Sequence, residues 1–205
     1  MIMLPRTYCI LRIILLVPGL LADDECTAMD MQSRAYKLWD CRSLPTFICN
    51  MLLCNPRIPL NVQLLAVVQI GLRITVYGKP KKNARRFTFN LKQNGSEREM
   101  PSIALHFDAR FDYYSERRVI VINSNIWGER LWRNGVRIKR FPFTRGSNFK
   151  ILFIVVRQGF EIYVNEKFIH TYRHIVPLKN ITHVFMNFDV DVDRLDIRPL
   201  YYVRL

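Results

Sequence analysis

His106, Asp108 and Arg110 occupy alternate positions of the stretch His106-Phe107-Asp108-Ala109-Arg110. Residues two apart in an extended strand point to one face, so an imidazole, a carboxylate and a guanidinium would share a surface. Imidazole and guanidinium can donate hydrogen bonds to hydroxyls, whereas an ionised carboxylate only accepts them. Downstream, Val121-Ile122-Asn123 offers a side-chain amide with an apolar neighbour on the same face. Trp132 and Arg137 then add a flat ring and a second guanidinium. Such a set suits a polyhydroxylated ligand with one greasy side: several hydroxyls gripped by polar groups, and C–H groups packed on indole. This is recognition chemistry. No Gly-x-Ser-x-Gly, phosphate-binding Gly-rich loop or His-Glu-x-x-His is present, and nothing singles out a catalytic carboxylate pair, so no enzyme is expected. His170 and His174 lie four apart, which would suit a metal on a helix, but the residues around them read as strand and turn. No metal and no cofactor are expected. Taken singly, His106 reads as a satisfied strand histidine and Trp132 as a ring covering a sheet; their joint order and spacing carry the binding interpretation.

Short strands must position these residues. From about residue 58 onward apolar residues alternate with polar ones. Leu64 to Ile70 is apolar and ends at Gly71. Leu72, Ile74 and Val76 alternate with Arg73, Thr75 and Tyr77. Phe87, Phe89 and Leu91 alternate with Thr88 and Asn90. Ile103, Leu105 and Phe107 alternate with Ala104, His106 and Asp108, and Val119, Val121 and Asn123 share one face. Similar segments recur at Phe149–Val155, Phe160–Val164 and Phe168–Tyr172, separated by turns such as Arg145-Gly146-Ser147, Gln158-Gly159 and Asn165-Glu166. Strands of this length, punctuated about every ten residues, predict an all-β antiparallel sandwich of the jelly-roll kind. Asp189-Val190-Asp191-Val192-Asp193 opens like a calcium loop, but Arg194 stands where glycine is needed and Leu200 where a glutamate is needed. A polar turn before a last strand at Leu195–Ile197 is expected instead.

The order of these blocks resembles the galectin family. In that family a His-Phe-Asn-Pro-Arg strand, a Val-x-Asn strand and a Trp-x-x-Glu-x-Arg turn line one galactoside groove. The resemblance covers about residues 58–205. It includes Gly71-Leu72-Arg73-Ile74-Thr75-Val76-Tyr77-Gly78, Arg86-Phe87-Thr88-Phe89-Asn90-Leu91 and Phe141-Pro142-Phe143 followed by Gly146. It implies a galectin-like sandwich that binds β-galactoside-type glycans without metal. His106 and Arg110 would hold the axial hydroxyl, Asn123 the primary hydroxyl beside Val121, and Trp132 would stack on the sugar, with Arg137 at the rim. Asp108 replaces the family's Asn and Ala109 its Pro. Counting back from Phe141-Pro142-Phe143 places the family's Trp and Arg on Trp132 and Arg137 and its Glu on Gly135. The alternative start at Trp127 gives Glu129 and Arg130 at wrong spacings. Loss of the Asn and Glu together sets up a rival expectation: a galectin fold with a decayed sugar site, docking protein or acidic polymers.

The chain has 205 residues, half of them hydrophobic, and a formal net charge of +14. The basic residues are scattered, the densest run being Lys79-Pro80-Lys81-Lys82-Asn83-Ala84-Arg85-Arg86. A solvated loop is expected there, with a dedicated polyanion site, for sulfated glycans, as the alternative. No nucleic-acid partner is expected. At the N-terminus, Arg6 precedes the apolar stretch Ile13–Leu21, and Ala22 precedes Asp23-Asp24-Glu25. This reads as a signal peptide over 1–22, too short for a membrane span, and implies secretion. It also departs from the galectin pattern, whose members usually lack a signal, so a cytoplasmic location is the alternative. Residues 23–57 read as an N-terminal extension containing Cys26, Cys41, Cys49 and Cys54, with a helix over Ala28–Trp39. Disulfides are expected there, with three pairings open, because the spacings do not suit zinc. The residues from 58 to 205 form the carbohydrate-recognition domain.

Overall fold

The computed structural model describes residues 37–42, 48–64, 67–95, 101–126 and 135–199, with side chains from residue 50 onward. These residues belong to one unit, Gln32–Leu205. The strands are β1 (Lys37–Arg42), β2 (Ile48–Cys54), β3 (Leu60–Gln63), β4 (Arg73–Pro80), β5 (Arg86–Lys92), β6 (Ile103–Tyr113), β7 (Glu116–Asn125), β8 (Val136–Ile138), β9 (Phe149–Val156), β10 (Gly159–Val164), β11 (Lys167–Arg173), β12 (His183–Phe188) and β13 (Val190–Arg198). They form a seven-stranded sheet in the order β1-β2-β13-β4-β9-β10-β11 and a six-stranded sheet in the order β3-β12-β5-β6-β7-β8. All the pairings are antiparallel. The two-residue alternation read from the sequence is what produces this all-β sandwich, since it gives each strand one face to bury.

Aromatic residues hold the sheets together. Phe89 of β5 stacks on Phe153 of β9 with ring centroids 4.2 Å apart, and Phe87 stacks on Phe149 at 5.2 Å. Phe143, from the Phe141-Pro142-Phe143 turn, meets both Phe87 and Phe149 edge-on. Leu91, Leu105, Phe107, Ile120, Ile122, Ile74 and Ile151 complete a fully buried layer. Inward residues of β5, β6 and β7 are therefore fixed by the core. Their alternate partners are held on the outer face of the six-stranded sheet.

Three local differences from the sequence expectations have physical causes. Lys37–Trp39, the end of the segment expected as helix, is extended and pairs with β2, while residues 28–36 lie outside the described residues. β2 in turn pairs with β13, so the seven-stranded sheet reaches into residues 37–54. Of the apolar run 64–70, the described residues connect β3 to β4 without forming a strand. Leu64 and Val68 are buried and Val67 and Gln69 exposed, but Ile70, in phase with the buried pair, is exposed, so the alternation ends there. Finally, β13 begins at Val190, so Asp191 and Asp193 lie on its exposed face, not in a turn. Asp189 alone stays in the preceding turn, where its Oδ2 accepts hydrogen bonds from the backbone N–H groups of Arg85 and Arg86.

Candidate functional site

Strand register assembles the site in rows across the outer face. His106 of β6 lies between Asn90 of β5 and Asn123 of β7. Asp108 lies between Thr88 and Val121, and Val121 is followed across β8 by Arg137. Arg110 lies between Arg86 and Val119. Six of the seven residues singled out in the sequence, His106, Asp108, Arg110, Val121, Asn123 and Arg137, thus occupy adjoining positions on three strands. Trp132 lies outside the described residues, as does the alternative Trp127.

Each polar group has a defined environment. His106 Nδ1 is 2.6 Å from Asn90 Oδ1. An amide oxygen only accepts, so Nδ1 donates this hydrogen bond, which leaves Nε2 on the side of Asp108. Asn90 Nδ2 donates to the Phe185 carbonyl, fixing the amide that fixes the ring. Asn123 Oδ1 accepts from the Ser124 backbone N–H. Its Nδ2 lies toward Gly135, where a Cβ would come within 3.1 Å of it and within 3.3 Å of Val121 Cγ1. Any side chain at Gly135 would therefore crowd Asn123.

Asp108 is the buried anion of the face, with 0 % exposure. Its Oδ2 accepts a 2.7 Å hydrogen bond from Arg110 Nε and lies 3.8 Å from both Arg86 Nη1 and His106 Nε2. Burial pushes its carboxyl pKa up, but the His106 imidazole and the Arg86 and Arg110 guanidiniums outweigh that and hold it below the usual carboxylate range. Asp108 Oδ1 is buried with no hydrogen-bond partner among the described residues. Arg86 is clamped between Tyr113 and Phe188, its guanidinium carbon 4.3 and 4.0 Å from the two ring centroids.

Glu116 was not singled out in the sequence. Its Oε2 accepts from Arg110 Nη1 and its Oε1 accepts from Arg137 Nε at 2.5 Å. One carboxylate thus bridges both arginines of the site. Burial raises its pKa, and the bonds and charges of Arg137 and Arg110 lower it further than burial raises it. Arg110, drawn down by burial, is raised above its ordinary value by Asp108 and Glu116. Counting in twos from inward Ile120 would send Glu116 to the core. The left-handed backbone at Arg118 (φ 49°) interrupts that alternation, so periodicity could not find Glu116. Asn90 and Arg86 were findable: they share a strand phase with Thr88, opposite His106 and Arg110.

The galactoside-binding lectin family profile matches residues 59–197. The chain belongs to the galactoside-binding lectin family. Rat Galectin-4 is 28% identical over 142 residues, covering 69% of this chain and 42% of the relative. The galactose-binding lectin l-1 of Anguilla japonica is 27% identical over 131 residues, covering 64% of this chain and 87% of that protein. The chain spans about two fifths of the length of the first curated relatives it matches. The crystal structure of Caenorhabditis elegans galectin LEC-6 superimposes with a TM-score of 0.60 at 24% identity, covering 71% of this chain and 94% of that one, a likeness of fold. Among galectin-family features, the leading His and Arg and the Val-x-Asn pair are present on one face here. Glu116, at the start of β7, is an acceptor for both Arg110 and Arg137.

Proposed function

We propose that this chain is a lectin that binds β-galactoside-type glycans through the outer face of its six-stranded sheet, without metal, cofactor or bond-making chemistry. One observation carries the reading. His106, Arg110 and Asn123 stand in adjoining rows on β6 and β7, with their orientations fixed by Asn90, Asp108, Glu116 and Ser124. Preorganised donors and acceptors of this kind bind hydroxyls without paying for ordering at the moment of contact. His106 Nε2 and Arg110 would take the axial hydroxyl, and Asn123 Nδ2 the primary hydroxyl. Val121 would lie beneath the ring, Trp132 would stack on its C–H face and Arg137 would close the rim. Asp108 acts as a buried acceptor that orients Arg110.

The test is retention on a galactoside resin and elution by lactose. The parent chain is retained and eluted, and Trp132→Ala flows through. A parent chain that passes straight through would end the lectin reading. A second reading, a galectin fold that docks acidic polymers, is favoured by the bond between Asp108 and Arg110, which competes with a sugar for the same guanidinium. It predicts retention on a sulfated-glycan resin with no elution by lactose. We place the protein outside the cell, after removal of a signal peptide over residues 1–22. A disulfide at Cys54 would fit an oxidising compartment.

A further inference from the structure

We propose that the turn end of the β6–β7 hairpin carries a second binding site, an arginine clamp for a sulfate ester on a sulfated glycan. The site is a cavity of about 270 Å³ lined by Phe111, Asp112, Arg117, Arg118 and Arg145. None of the residues lining it is among those of the galactoside face. The glycan nature of the ligand rests on the lectin reading; the anion selectivity does not.

Two guanidiniums line the cavity, each over one ring of an aromatic pair. The Arg118 guanidinium carbon sits 5.4 Å over the Phe141 ring and that of Arg145 sits 5.1 Å over Phe111. The two rings meet edge to face at 4.9 Å and are themselves buried, so the base does not move. Arg145 Nε also donates a 2.7 Å hydrogen bond to the Ala84 carbonyl, which fixes the plane of its fork and leaves its terminal amines to point elsewhere. The basic run noted in the sequence ends here. Arg85 Nε donates to the Asp112 carbonyl, bringing a further cation beside the cavity. Among the described residues no carboxylate pairs with Arg118 or Arg145. The only acidic residue lining the cavity, Asp112, lies 3.6 Å from Arg117 Nε.

Like charges gathered this way repel unless an anion lies between them. The left-handed backbone at Arg118, a conformation that only glycine adopts without cost, delivers its side chain to this cluster. Paired guanidinium forks match the geometry of a tetrahedral oxyanion. A cavity of about 270 Å³ leaves room for a sulfate group. Nucleic-acid bases need an open aromatic face to stack on. Both rings here are capped by guanidinium, which selects a polysaccharide sulfate over a single-stranded nucleic acid.

The experiment uses the full chain, a short heparin oligosaccharide and its desulfated counterpart, followed by calorimetry with lactose titrated in parallel. The variants are Arg118→Asn with Arg145→Ala, Arg145→Lys and Asp112→Asn. Asparagine is chosen at Arg118 because it tolerates left-handed backbone. The heparin oligosaccharide should bind and the desulfated one should not. The double variant should lose at least tenfold in affinity and Arg145→Lys several-fold, because lysine keeps the charge and loses the fork. Asp112→Asn, at an exposed position, should tighten binding a few-fold. Lactose affinity should be the same in all of them. If the parent binds no lactose but the heparin series behaves as stated, the clamp stands and the lectin reading falls. Heparin affinity that ignores all three variants, equal binding of the desulfated chain, or tighter binding of a single-stranded oligonucleotide would overturn the clamp.

Discussion

Replacing Glu116 by Gln tests whether its bridge holds Arg110 and Arg137 in place for a ligand. The carboxylate holds Arg110 Nη1 on one oxygen and Arg137 Nε on the other, and its side chain is 22 % exposed. A hydrogen bond to a charged partner is worth about 1.5–3 kcal/mol when buried, and an exposed ion pair about 0.2–1 kcal/mol. Arg110 keeps its bond to Asp108 when the bridge is lost, so that end costs only the smaller part of a buried bond. Arg137, about half exposed, loses its carboxylate and takes the exposed-pair value. The sum is about 1–2 kcal/mol of stability at pH 7. Both arginines would then sample several rotamers, and lactose affinity should fall about tenfold, or roughly 1.4 kcal/mol. The sign of the pH dependence follows from the depressed carboxyl. The bridge contributes fully above the unfolded Glu value of about 4.3 and is lost as pH falls through the folded value, so parent and variant should converge in acid. Urea denaturation across pH and calorimetry with lactose read both effects. A variant that binds lactose within twofold of the parent, or a stability gap that persists unchanged in acid, refutes the bridge.

Asp108→Asn removes the buried charge beside Arg86, Arg110 and His106 and should cost about 3 kcal/mol in urea denaturation at pH 7, as for breaking a buried pair. Because its folded pKa is depressed, that gap is present above about pH 3.9 and should close below it. Gly135→Ala brings a Cβ to 3.1 Å from Asn123 Nδ2 and 3.3 Å from the Ile122 carbonyl oxygen. It should cost about 1 kcal/mol of stability or less, because one neighbour is a movable amide, yet weaken lactose binding several-fold by turning Asn123; an amide NMR spectrum unchanged at Asn123 would contradict this.

Period-two alternation was enough to read the sandwich from the sequence, because each strand of the core buries one face against aromatic partners such as Phe89 and Phe153. The same alternation put His106, Asp108 and Arg110 on one face, and their cross-strand partners Asn90 and Arg86 were legible once pairing was assumed. Elsewhere the rule had nothing to act on. Residues 37–54 show no period, yet strand β2 pairs with β13 through backbone hydrogen bonds, which carry no side-chain signature. Glu116 defeats the rule outright, because one left-handed residue at Arg118 reverses the phase that alternation assumes.

The two departures from the galectin signature are coupled by charge. Arg86, Arg110 and Arg137 face the same surface and, among the described residues, are held by two carboxylates, Asp108 and Glu116. With asparagine at 108 and no acceptor at 135, the three guanidiniums would share the Glu116 charge alone, and Arg86 and Arg110 would be partly buried cations with no carboxylate between them. An aspartate at 108 answers that deficit at the point where desolvation is greatest, and Glu116 answers it at the rim, where Arg137 is half exposed. The cost falls on the amide donor that asparagine would have offered a sugar. The return is that Arg110 is held from two sides before any ligand arrives, so on the proposed lectin reading affinity at this face would rest on aimed guanidinium and imidazole groups and only weakly on the identity of residue 108. Asp108→Asn should therefore harm stability more than it helps binding.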